Sequence, residues 1–138
     1  MPGKRTDKKT LALIKYILKK RGGALVTEIM KLCYFIDLAS HKSLKQKITS
    51  LEYIRYRFGP FDSTLYDYIK DEEVHELEKD DKVVYYFEGV DPTSLFKENE
   101  LKVINDILSV FKDFSSKELT AFSYETYPMK RIGAKLGT

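Results

Sequence analysis

Between Tyr53 and Tyr68 the chain sets Arg55 and Arg57 among six aromatic residues, Tyr53, Tyr56, Phe58, Phe61, Tyr66 and Tyr68. Tyrosine and arginine are enriched at protein interfaces because they join a large contact area to a polar tip. The chemistry they offer is recognition. A core of this size cannot hide all eight, so about half are expected to pack inside and the others to form an exposed aromatic–arginine patch. Arg55, Arg57 and Phe58 are expected to reach a partner, with Tyr53, Gly59, Pro60, Phe61 and Tyr66 completing the patch.

Side chains that catalyse or hold metals are scarce by comparison. The one cysteine, Cys33, and the two histidines, His41 and His75, stand at no ligand spacing, so neither a zinc knuckle nor a zincin motif can be assembled. Cys33 is flanked by Leu32 and Tyr34, a setting for packing rather than for a nucleophile. Gly22-Gly23 follows a helix instead of joining a strand to one, which excludes the phosphate-binding fingerprints. Seven acids between Asp71 and Asp81 form a surface run, not a paired catalytic set. The expectation is a protein without catalysis, metal or cofactor, a degenerate nuclease being the remaining enzymatic reading.

The elements that must position the patch follow from periodicity. A helix is expected from about Asp7 to Lys20, capped by Thr6 and stopped by Gly22-Gly23. Leu11, Leu13, Ile14, Ile17 and Leu18 share one side of it, and Lys8, Lys15 and Lys19 an adjoining stripe expected to be exposed. From about Thr27 to Ala39 apolar residues point all round the axis, which marks a buried central helix with His41 near its end. Residues 51–57 alternate as a strand that Phe58-Gly59-Pro60 breaks. Asp62 or Ser63 then caps a short helix to about Lys70. Val74–Glu78 and Val83–Glu88 flank the polar turn Lys79–Lys82 as a hairpin, with His75 a solvated residue in it. An amphipathic helix carries Leu101, Val103, Ile104, Ile107, Leu108, Val110 and Phe111 on one half, and Ser115 with Glu118 opens a last helix to about Tyr124 that Tyr127-Pro128 ends. The fold class expected is α+β: a mostly helical single domain with a core at about 7–128, a buried central helix and one small antiparallel sheet formed by 51–57 and the hairpin. A basic tail, 129–138, carries Lys130, Arg131 and Lys135.

With 138 residues, 43% of them apolar, the chain is long enough to bury a core without metal or disulfide. A lone cysteine points to a reducing, cytoplasmic setting, and no apolar run is long enough for a membrane span. Net charge is +3, but it is unevenly placed: residues 1–22 hold eight basic residues against Asp7, while 71–82 hold seven acids against Lys79 and Lys82. Such asymmetry suits a protein partner or a steering field, and the acidic hairpin suits a basic partner. A winged-helix-like DNA-binding regulator is the alternative, with Lys8, Lys15 and Lys19 on phosphate. It is second choice because the helix after Pro60 carries Asp62 and Asp67, and the hairpin tip carries two aspartates.

The run Met30-Lys31-Leu32-Cys33-Tyr34-Phe35, then Tyr56-Arg57-Phe58-Gly59-Pro60, then Leu65-Tyr66 resembles the Panacea domain of SocA-like antitoxins. Leu119–Glu125 with Tyr127-Pro128-Met129 is similar to the family's closing motif, and the order holds over about residues 10–130. Met30 stands where the family usually has glutamine, Tyr124 where histidine is common and Met129 where tryptophan is expected. Carried over by position, the motif residues are Lys31, Leu32, Tyr34, Phe58, Gly59, Pro60, Leu65 and Tyr66. The resemblance implies an antitoxin that neutralises a companion toxin by direct contact. One family member is also an adaptor that delivers its toxin to a protease, and related domains occur in phage and mobile-element proteins.

Overall fold

The computed structural model describes residues 7–56 and 59–125. Thr6, Arg57, Phe58, Tyr127, Pro128 and the basic tail lie outside the described residues. Helix α1, Lys8–Arg21, is capped by Asp7 and not by Thr6: the Asp7 carboxylate accepts from the Thr10 amide at 2.9 Å and from its hydroxyl at 2.7 Å. Gly22 ends it in the left-handed region, at φ 72°. Helix α2, Val26–Leu44, runs a turn further than its apolar residues suggest. Its last turns are polar, so periodicity gives no sign of them, yet Ser40 is fully buried and donates to the Gln46 carbonyl at 2.6 Å. His41 and Lys42 sit in the last turn, where the helix dipole favours cations.

Residues 51–57 and the hairpin do not share a sheet. Strand β1, Ile54–Tyr56, pairs antiparallel with β2, Gly59–Phe61, with Ile54 opposite Phe61 and Arg55 opposite Pro60. The chain therefore resumes a strand at Gly59-Pro60, and Pro60 is tolerated because a two-stranded ladder is all edge. Leu51, expected to open the strand, is buried in the core instead. After the single-turn helix α3, Leu65–Tyr68, come strands β3, His75–Lys79, and β4, Lys82–Tyr86. They pair separately, and Asp80 and Asp81 turn between them at φ 52° and 65°. The other edge of β4 is taken by Ala24, which exchanges two backbone hydrogen bonds with Tyr85.

Helix α4, Glu98–Val110, is followed by α5, Ser116–Glu125, where the Ser115 and Glu118 side chains satisfy each other's amides at 3.1 and 2.8 Å. The core joins Leu13, Ile14, Ile17 and Leu18 of α1, Ile29, Leu32 and Ile36 of α2, and Leu65, Ile104 and Leu119. The fold is α+β and mostly helical, with α2 central as its composition requires. Among the described residues no helix is long and apolar enough to cross a membrane.

Candidate partner-binding site

The site begins with the way α2 holds the segment after it. Asp37 is 2% exposed, and its carboxylate accepts from the Ile48 amide at 2.8 Å, the Thr49 amide at 3.0 Å, the Thr49 hydroxyl and the Tyr53 hydroxyl at 2.7 Å. Four donors on one buried carboxylate offset the cost of enclosing it. The Tyr53 ring also meets the Tyr34 ring edge-on at 5.4 Å. Tyr53 is therefore half-buried and tied to α2, and it does not line the pocket that the other patch residues form. Burial, Cys33 and Asp37 push its phenol well above the ordinary value. Cys33 is fully buried, and burial first and Asp37 second push its thiol far up, which leaves it protonated and inert.

With Tyr53 fixed, β2 lies against the start of α2, and a cavity of about 130 Å³ opens between them. Val26, Thr27, Met30 and Lys31 of α2 line one side; Gly59, Pro60, Phe61 and Tyr66 line the other. Gly59 is required here twice over. Its φ of 116° is one that side chains rarely adopt, and an added Cβ would stand 3.0 Å from the Ser123 hydroxyl and 3.2 Å from Lys31 Cε. So α2, β2 and α5 meet on a single glycine. Pro60 is buried, Phe61 is half-buried against the Tyr66 ring at 6.4 Å, and Tyr66 is 43% exposed. The expected patch is thus partly a pocket wall.

Arg55 is half-buried, with its guanidinium 5.3 Å from the centre of the Tyr124 ring, so it ties β1 to α5. Tyr68 is buried, its hydroxyl accepting from the Asp7 amide at 2.9 Å. Arg57 and Phe58, on which the sequence reading leaned most, are outside the described residues. What that reading missed is the α2 side of the pocket: it does not single out Val26 and Thr27, and it names Met30 and Lys31 as positions of the family motif without placing them beside Gly59. A helix apolar all round gives no hint that one end of it faces a cavity.

The basic stripe of α1 is not the free surface expected. Lys15 is buried and bridges Glu73 at 2.6 Å and Asp71 at 3.2 Å. Burial alone would lower its pKa, but those carboxylates hold it above the ordinary value. Lys19 pairs with Asp91 at 3.1 Å and donates to the Gly89 carbonyl. Lys8 alone of the three is exposed. The acids at 71–73 are in part the counter-charges of α1, while β3 remains exposed along its length. Among the described residues no group of three or more His, Cys, Asp or Glu is arranged to hold a metal.

A second cavity, of about 350 Å³, lies between α2, α4 and α5, walled by Phe35, Leu38, Ile107, Val110, Phe111 and Phe122 with Lys42 at its rim. Val110 is 62% exposed despite its place on the apolar half of α4.

A family model for the antitoxin SocA-like, Panacea domain matches residues 29–128. That span takes in α2 from Ile29, the Gly59-Pro60 strand and α5, and leaves α1 outside. Neither the curated proteins nor the solved structures provide a match.

Proposed function

The chain belongs to the SocA-like antitoxin family and carries its Panacea domain, and we propose that it neutralises a companion toxin by binding it directly. The observation that carries this reading is the family match itself, whose span includes most of the residues around the Gly59 pocket. The contact face proposed is the pocket and its rim, where Ile54 and Tyr66 are 52% and 43% exposed. Ile54 and Phe61 are directly opposed in the ladder, so their side chains stand on one face. Apolar and aromatic groups at a pocket mouth are the kind that anchor a protein interface. The chain acts in this reading by sequestration, in the cytoplasm and without chemistry or a cofactor of its own.

A DNA-binding reading loses its main support, because Lys15 and Lys19 already neutralise acids of the same chain. The test is co-expression of the full chain with the product of the adjacent gene. The expected result is a product that arrests growth alone, is harmless together with this chain, and co-purifies with it. Growth arrest that persists, with no complex recovered, overturns the reading. The toxin's half-life in the rescued cells separates sequestration from delivery to a protease: unchanged for the first, shortened for the second.

A further inference from the structure

Lys31 is a charge that the fold encloses and, among the described residues, leaves without a partner. The residue is 2% exposed and sits in the pocket wall, its Cε packed beside Gly59. Among the described residues its ammonium has no hydrogen-bond acceptor and no carboxylate within ion-pair reach. The nearest acid on its own helix, Glu28, is engaged elsewhere: it accepts from the Leu25 amide at 2.8 Å and lies 3.6 Å from Arg21. No fully enclosed side-chain nitrogen lacks a partner among the described residues, so the Lys31 ammonium keeps a trace of solvent contact, and the pocket supplies it. A lysine held this way bears the cost of burial without the compensation that buried charges ordinarily find. Burial pulls its pKa below the ordinary lysine value, with Glu28 opposing.

We propose that this pocket receives an acidic side chain of the partner polypeptide, whose carboxylate accepts a hydrogen bond from Lys31 Nζ. The inference rests on the reading that this face is where the partner docks. The size fits one side chain: the pocket, at about 130 Å³, is slightly smaller than the roughly 150 Å³ cavity that holds a benzene. The walls fit the methylenes of an acidic residue: Val26, Met30, Pro60 and Phe61 are apolar. The exposed Ile54 and Tyr66 beside the mouth provide for the residues on either side of it. A carboxylate entering here meets a cation already stripped of most of its water, which is the setting in which charge-assisted hydrogen bonds are strongest.

The test is a magnetic-resonance titration of the full chain with the blocked peptide acetyl-Leu-Glu-Leu-amide, its glutamine counterpart and sodium acetate. The expected result is that the glutamate peptide shifts the Lys31 side-chain and Gly59 amide signals and binds about tenfold or more tighter than the glutamine peptide. Lys31→Met should abolish that preference while leaving the melting temperature unchanged or raised. Should that variant fail to fold, the comparison of the two peptides on the unaltered chain decides alone. Equal binding of both peptides, shifts located away from the pocket, or no binding of the glutamate peptide would overturn the proposal. Acetate binding as tightly as the peptide would make the ligand a free carboxylate and overturn the polypeptide assignment. Neutralisation of the companion toxin that survives Lys31→Met with unchanged affinity removes this inference and keeps the antitoxin reading. Loss of neutralisation in the unaltered chain does the reverse.

Discussion

Asp37 stands eleven and twelve positions before the two amides it accepts from, and no local pattern in the sequence announces that reach. Its carboxylate draws 48–49 inward, which allows Ile48 and Leu51 to join the core at 4% and 1% exposure. Asp37→Ala would leave four donors without their acceptor in a region that excludes water. The expected loss is about 3 kcal/mol or more, read as a lower urea midpoint at an unchanged slope. A loss below about 1 kcal/mol would mean that water enters and takes over those bonds. In the sequence, Glu28, Lys31 and Asp37 are the charges on an otherwise apolar helix, and Lys31 is also a position of the family motif, but nothing there pairs them. Asp37 is saturated with donors and, among the described residues, Lys31 has no acceptor, a difference set by segments distant in the chain.

The helices were legible because their evidence is local: 3.6-residue periodicity, a left-handed glycine after α1 and reciprocal capping at Ser115 and Glu118. Boundaries moved where polar residues continue a helix, as at the end of α2. They moved also at α3, which is one turn, Leu65–Tyr68, with Thr64 at its cap position, where the sequence suggests a helix capped by Asp62 or Ser63 and reaching about Lys70. The strands were less legible. Alternation in 51–57 is real, but Leu51 and Tyr53 are drawn to the core and to Asp37, leaving three residues to pair. The partner of those three is Gly59–Phe61, which a proline makes look like an end. Tyr53 is accordingly held apart by Asp37, whereas Gly59, Pro60, Phe61 and Tyr66 come together at one pocket. Gly59→Ala is expected to cost at least about 1 kcal/mol, from a strained backbone angle and from contact with Ser123 and Lys31. Thermal unfolding checks the loss, and the Lys31 side-chain signals should shift in the same variant. A melting temperature equal to that of the unaltered chain would mean that β2 moves aside at little cost.

The charge asymmetry between the start of the chain and residues 71–82 turns out to be partly an internal account of attraction. Lys15 reaches Asp71 and Glu73, Lys9 reaches Glu100 at 2.7 Å, and Arg21 donates to the Phe111 and Phe114 carbonyls at 3.0 and 2.9 Å. These contacts bind α1 to distant parts of the chain, a pairing that composition cannot reveal. Glu100 gives it a pH signature. Its enclosure alone would raise its pKa, but Lys9 and the Lys97 amide and ammonium hold it below the ordinary glutamate value of 4.5. A carboxyl whose folded pKa lies below its unfolded one stabilises the fold above the unfolded value. That contribution is lost as pH falls through the folded value. The melting temperature is therefore expected to decline on acidification below about 4.5, and Glu100→Gln to lower it at neutral pH and flatten the acid limb. An equally steep limb in the variant would assign the acid sensitivity to other carboxylates.

The hairpin of β3 and β4 has one further property. Ala24 closes the far edge of β4, but among the described residues the outer edge of β3 pairs with nothing. An open edge is a template on which another chain can add a strand, and charged side chains are a common guard against it. Here Glu76 and Glu78 alternate with His75, Leu77 and Lys79 on a strand exposed throughout. The negative run that looks like a docking signal is thus also a solubility device. Neutralising it would leave the fold intact and expose the protein to edge-to-edge aggregation.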